Sequence, residues 1–310
     1  MKEVVKAEDL QGYLKRIFGQ YTANSNIVDY LSRSFVLADL VGHHTHGVSS
    51  VIPCIKMTRS SQIDPNAIPE ILESNNLMCW VNGNGGYGRY AAHWAMDQAI
   101  YRGKQQGISF VWLSNCSNTG RLGEYAEQAA EAECIGICMT GFANGEREQI
   151  VAPPGCISRF FGTNPIAFGI PTATDPVIID MALAEKTYHY IENAAFLGER
   201  LEGRYVINKE GTLTDQPKDL LEGGAISMPA SYKGLCISLI ISLLSGIASI
   251  DPYSSTLDGT LMIIIDGEKI SKFPFYKQQI SDFIAAYKGL ATFDGDSPRM
   301  PGEKAQQKRK

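Results

Sequence analysis

From residue 78 onward the chain alternates short apolar runs with stretches of helical periodicity, and this alternation constrains its fold more than any other feature. Residues 78–81 (Met-Cys-Trp-Val) predict a strand, 83–88 a glycine turn, 91–105 a helix and 108–113 a strand. A helix over 120–132 and a strand over 135–140 follow, then strands at 166–170 and 177–181. Residues 186–198 read as a helix, 208–211 as a turn, 234–244 as a helix, 261–265 as a strand and 277–287 as a helix. Strands that alternate with helices bury their apolar faces in α/β layers, so the pattern implies a mixed central sheet.

Ahead of this block the texture is helical. Leu10, Tyr13, Leu14, Ile17 and Phe18 fall on one helix face, as do Ile27, Tyr30, Leu31, Phe35 and Ala38. A third helix is predicted over 48–59, and Pro65 and Pro69 close the block.

Charge and cysteine usage remove several function classes. The net charge is -5, with no basic face carrying interleaved aromatics, which argues against a nucleic-acid partner. The basic tail at 304–310 reads as a solvated, partly disordered end. Seven cysteines without a CxxC spacing read as reduced thiols in a cytoplasmic protein. The N-terminus has no apolar core of a signal peptide. The most apolar run, 235–250, is broken by Ser238, Ser242, Ser245 and Gly246, so it predicts a buried core helix and no membrane span.

Gly83-Asn84-Gly85-Gly86-Tyr87-Gly88 satisfies GxGxxG between a strand and a helix. A Rossmann site also needs an acid at the end of the next strand to hold the ribose. That strand ends in Ser114-Asn115-Cys116, so the glycines read as a tight turn.

Two segments carry chemistry. In residues 38–48, Ala-Asp-Leu-Val-Gly-His-His-Thr-His-Gly-Val, a helical pattern ends at Gly42 and three of five histidines follow. A histidine fixed there can pass a proton near neutral pH. His43, His44 and His46 lack the i, i+4 spacing of a helical zinc site, and no adjacent Cys or Glu completes a shell, so no metal is expected. The second segment, residues 161–171, holds Gly162-Thr163-Asn164-Pro165, a turn in which Asn before Pro avoids the right-handed helical region and aims the next strand.

Together these segments resemble the malate/L-lactate dehydrogenase family, whose nucleotide-binding fold is not of the Rossmann type. The similarity spans nearly the whole chain, and the blocks at 180–198 and 259–266 are most similar to its 2,3-diketo-L-gulonate reductase type. The resemblance implies a non-Rossmann α/β fold with a helical lobe from both termini. Segment 1–70 would carry the catalytic histidine and pack with 230–310, around a central nucleotide-binding domain at 71–229. It implies a homodimer that uses NADH or NADPH to reduce a small 2-oxo acid or cyclic imine, or oxidises the 2-hydroxy acid in reverse. Thr45-His46-Gly47 stands where the family has Ser-His-Gly, so His46 inherits the acid/base role and Thr45 orients substrate or ring. Ile178, Ile179, Asp180, Met181 and Ala182 match the strand end that runs along the nucleotide. Tyr232 and Lys233, in Ser231-Tyr232-Lys233-Gly234, match an aromatic-Lys-Gly element suited to phosphate or ribose oxygens. Gly302 and Glu303 belong to a Pro-Gly-Glu segment that also contacts the cofactor.

Two positions depart from the family. An arginine four residues past the histidine is here Ser50, which cannot clamp a carboxylate bidentately. The histidine of the Asn-x-x-His element is here Asn118, which can hydrogen-bond a carbonyl without delivering a proton. Arg121 matches an arginine of the gulonate-reductase type and can anchor an anionic substrate. The departures keep two alternatives open: a biosynthetic reductase of the same fold acting on a substrate without a carboxylate, or a catalytically silent nucleotide-binding protein.

Overall fold

The helical opening folds as α1 (Ala7–Phe18), α2 (Ser25–Leu40) and α3 (Val51–Arg59). The computed structural model describes residues 5–143, 149–229, 232–248, 257–270, 273–293 and 297–309. Residues 1–4, Ser231, 249–250 and Lys310, on which parts of the sequence reading fall, lie outside them. Asn24 caps α2, its side chain accepting from the amides of Asn26 and Ile27. Phe18 stacks on Phe35 at 5.7 Å, and Tyr87 meets Phe18 edge-on at 5.9 Å, which joins α1 and α2 in one apolar cluster.

The alternating block gives β1 (Glu70–Ser74), β2 (Met78–Gly86), α4 (Gly88–Gln106), β3 (Ile108–Cys116), α5 (Gly123–Glu131) and β4 (Cys134–Ala143). It continues with β5 (Ile166–Ile170), β6 (Val177–Met181), α6 (Tyr188–Leu197), β7 (Val206–Ile207), β8 (Leu213–Thr214), α7 (Lys218–Leu221) and β9 (Ala225–Ile226). Then come α8 (Tyr232–Ser245), β10 (Leu257–Asp266), α9 (Phe273–Lys288) and α10 (Glu303–Arg309). A seven-stranded sheet has the order β1-β2-β3-β10-β4-β5-β6, and a small sheet the order β8-β7-β9. The large sheet is mixed, since β1 runs antiparallel to β2 while β2 and β3 are parallel, with Cys79 beside Val111 and Val81 beside Leu113.

The chain forms two compact units: residues 1–138, 167–180 and 262–310, and residues 139–166 and 181–261. In the first, Val81, Val111 and Leu113 of the sheet pack on Ala92, Ala95, Met96 and Ala99 of α4 and on Ala126 and Ala129 of α5. The second has its own cluster around Val151, Phe161, Ile191, Val206 and Leu220. Among the described residues no helix is long and apolar enough to cross a membrane.

Three expectations change. The glycines expected as a tight turn over 83–88 are mostly strand: β2 runs on to Gly86 and α4 starts at Gly88, where a Cβ would strike the Ser117 carbonyl oxygen. The glycine there permits backbone contact. The helix at 234–244 is not buried all round. Gly234, Ser238, Ile241, Ser242 and Ser245 of α8 face inward, while Ile240 and Leu243 are exposed. Its small hydroxyl face is inside because buried Asn164 needs partners there: its amide nitrogen donates to the Ser238 carbonyl (3.1 Å) and to Ser242 Oγ (2.8 Å). Finally, the basic tail is structured. Gln306 donates to the Pro176 carbonyl at 2.6 Å and Arg309 pairs with Glu127 at 3.4 Å, so tertiary contacts fold 303–309 into α10.

Candidate active site

The end of α2 builds the site. Past Leu40 the chain turns at Gly42, and the His43 amide reaches back to the Ala38 carbonyl at 2.8 Å, closing the helix with a Schellman-type bond. His44, Thr45 and His46 then form one 3₁₀ turn. Asp39 fixes this turn from both sides, accepting from His44 Nδ1 at 2.8 Å and from the Val48 amide at 2.8 Å. The three histidines consequently have different neighbours. His44 binds Asp39, His46 Nδ1 lies 3.2 Å from Thr45 Oγ1, and His43 enters a cleft.

That cleft, of about 290 Å³, lies entirely within the first unit. Of the residues singled out in the sequence, Arg121, Ile178, Asp180 and Gly302 line it together with His43 and Glu127. Lys304 and Lys308, on the face of α10, line it too. Gly302 belongs there for two reasons: its φ is +80°, and a Cβ would press on the Ile178 carbonyl oxygen.

Charge in the cleft is organised by Arg121, which is 4% exposed. Its Nη2 donates to Glu127 Oε1 at 3.0 Å, and its Nη1 stands 3.7 Å from Asp180 Oδ2. Asp180 also accepts from the Gly123 amide at 3.1 Å, and Glu127 from Arg309 at 3.4 Å. Arg121 Nε is buried with no hydrogen-bond partner. Burial holds the Glu127 carboxyl above the ordinary carboxylate range, against the pull of Arg121 and Arg309. Burial also pushes the His43 imidazole down; Asp180 opposes this, while Arg121, His44 and Lys308 reinforce it.

The remaining sequence-derived residues of the first unit are not among those that line this cleft. Thr45 and His46 are on the turn beside it, and Asn118 Oδ1 accepts from the Gly120 amide at 2.8 Å in the loop after β3. Ile179 is half-buried in β6. Glu303 pairs with Lys288 at 2.7 Å and accepts from the Met300 amide. Met181, Ala182, Tyr232 and Lys233 belong to the second unit, where Tyr232 and Lys233 are exposed at the start of α8. Ser50 spends its hydroxyl on the Thr45 carbonyl at 2.6 Å.

Glu127, Lys304, Lys308 and Arg89 escaped the sequence reading, and His43 entered it only as a metal candidate. The lysines had a signal: i, i+4 spacing straight after the Pro-Gly-Glu segment puts both on one helix face. Arg89, in the first turn of α4, had none.

Comparison with known proteins places these features in a class. The malate/L-lactate dehydrogenase family matches residues 5–310, so the chain belongs to that family and is an oxidoreductase. A malate dehydrogenase of Pyrococcus horikoshii is 27% identical over 300 residues, covering 92% of this chain and 82% of the relative. A Delta(1)-pyrroline-2-carboxylate/Delta(1)-piperideine-2-carboxylate reductase of Pseudomonas putida is 26% identical over 316 residues, covering 97% and 89%. The crystal structure of malate dehydrogenase from Entamoeba histolytica superposes with a TM-score of 0.90 at 24% identity, covering 100% of this chain and 93% of that one. The non-Rossmann α/β fold and the nicotinamide chemistry of the class follow.

Proposed function

We propose that the protein transfers hydride between NADH or NADPH and a small 2-oxo acid or cyclic imine, the reverse direction oxidising a 2-hydroxy acid. One observation carries the reading: Arg121, Ile178, Asp180 and Gly302, remote in sequence and assigned by the family pattern to substrate and cofactor, line one cleft. The residues fit a dinucleotide in their chemistry, offering an unpartnered buried Arg121 Nε for an anionic group. The bound nicotinamide would supply hydride, while the protein binds, orients and protonates.

In this reading His46 donates the proton to the carbonyl oxygen or imine nitrogen, and Thr45 orients the ring through Nδ1. Asn118, its Oδ1 held by Gly120, offers its amide NH₂ to the substrate. Ile179, Met181, Ala182, Tyr232, Lys233 and Glu303 are the further cofactor contacts, in a cytoplasmic homodimer. The test is separate fluorescence titration with NADH and NADPH, then oxidation of the bound form by pooled 2-oxo acids and cyclic imines. Turnover supports the proposal, and absence of both binding and turnover overturns it.

A second reading, a substrate without a carboxylate, is favoured by two contacts. Ser50 is committed to Thr45, and Arg121 already faces two carboxylates. Dinucleotide binding without turnover of any 2-oxo acid selects it.

A further inference from the structure

The acidic and basic groups of the cleft are not matched. Each carboxylate already faces a cation: Asp180 meets the Gly123 amide and Arg121 through Oδ2, and Glu127 meets Arg121 and Arg309. Lys304 and Lys308 stand one helical turn apart, and among the described residues no carboxylate pairs with either. Lys308 Nζ lies over the backbone of Gly42, 2.6 Å from where a Cβ would be, which brings its charge beside His43. Two like charges at i, i+4 repel each other, so this arrangement costs free energy until an anion sits between them.

The identity of that anion follows from what the cleft can hold. A ribose diol is recognised by a carboxylate with accepting capacity to spare, whereas a phosphate is recognised by cations. Here Asp180 and Glu127 already face arginines, whereas among the described residues neither lysine faces a carboxylate, so the uncompensated charge of the cleft is positive. A volume of about 290 Å³ admits a phosphate and the edge of a sugar, below the range of pockets that enclose a whole drug-sized ligand. Burial keeps His43 neutral near pH 7, so its imidazole can offer one hydrogen bond without adding a third repelling charge.

Resting on the dinucleotide reading above, we infer that this cleft takes a phosphomonoester dianion, the 2′-phosphate of NADPH, on Lys304 and Lys308, with Arg121 Nε and His43 as neighbouring donors. The protein is therefore an NADPH enzyme by virtue of α10.

The experiment compares Kd for NADPH and NADH by fluorescence titration of the full chain, as wild type and as Lys304→Gln/Lys308→Gln. Both lysines are exposed, and circular dichroism checks that the variant is folded. The wild type should prefer NADPH by at least about tenfold, and the variant should lose that preference while its NADH affinity stays within about twofold. 2′-AMP should compete with NADPH, and 5′-AMP should not. Equal affinities in the wild type, or a preference that survives in the variant, overturn the inference and leave the oxidoreductase reading intact. Inorganic phosphate raising Tm through these lysines, with no NADPH preference, assigns the cleft to a free phosphate and also overturns it. Failure of both dinucleotides to bind defeats both readings together.

Discussion

Arg89 Nη2 donates to the main-chain carbonyl of His46 at 2.6 Å, so a buried cation holds the turn that carries the candidate acid. The same guanidinium lies 3.9 Å over the Phe35 ring and donates through Nη1 to Ser34 Oγ at 3.0 Å. Ser34 passes the contact on to Glu124 Oε2 at 2.7 Å, and Tyr30 donates to Glu124 Oε1 at 2.8 Å. Two opposite charges, Arg89 and Glu124, are thus buried with one hydroxyl between them.

Arg89→Leu should cost about 3–5 kcal/mol, because it leaves Glu124 buried without its cation. Urea unfolding measures this. Adding Glu124→Gln to the same chain should recover part of the loss, and a single variant as stable as the wild type would refute the coupling.

His46→Gln keeps a hydrogen-bonding side chain and removes the acid. Under the proposed mechanism kcat should fall by roughly 10²–10⁴-fold, with Tm and dinucleotide Kd almost unchanged. An undiminished kcat would move the proton donor to another residue.

His43 should give the protein an acid-side weakness. Its folded pKa is depressed, chiefly by burial, while the unfolded chain protonates near the ordinary value of about 6.5. The unfolded state then binds more protons below that value, so stability held above it is lost as pH falls through the folded pKa. Melting curves between pH 5 and 8 should show a steeper acid decline in the wild type than in His43→Gln. Parallel curves would exclude His43 as the titrating group.

Asn164→Ala should destabilise by about 2–4 kcal/mol. Asn164 is fully buried, its Oδ1 accepts from the Phe142 amide at 3.2 Å, and its φ of 43° is one that asparagine tolerates better than alanine. Chemical denaturation measures the loss, and a change below about 0.5 kcal/mol would contradict the structural role.

The order of strands and helices was legible because periodicity records burial locally: β5 and β6 fall on the residues the pattern marks. The strands of two residues, β7, β8 and β9, carry too few positions for any period to be seen. Asn164 announced itself through the Asn-Pro turn, but its partners on α8, the Ser238 carbonyl and the Ser242 hydroxyl, did not, since Ser238 and Ser242 look polar and hence exposed in sequence. The site divides the same way. Asp180 and Gly302 stand out as motif residues, whereas the contacts of Arg89 with His46 and of Glu127 with Arg309 join residues remote in sequence. A charge buried by tertiary contact has the same letter as one in solvent.

Helix α10 has seven residues, too few to persist in water on helical propensity alone. Its order depends on the contacts of Gln306 and Arg309 with the rest of the first unit, so one wall of the cleft stands only while those contacts hold. Winding of the C-terminus and occupancy of the cleft are therefore linked equilibria, each shifting the other by the same factor. Amide exchange in that last helix becomes a reporter of what the enzyme has bound.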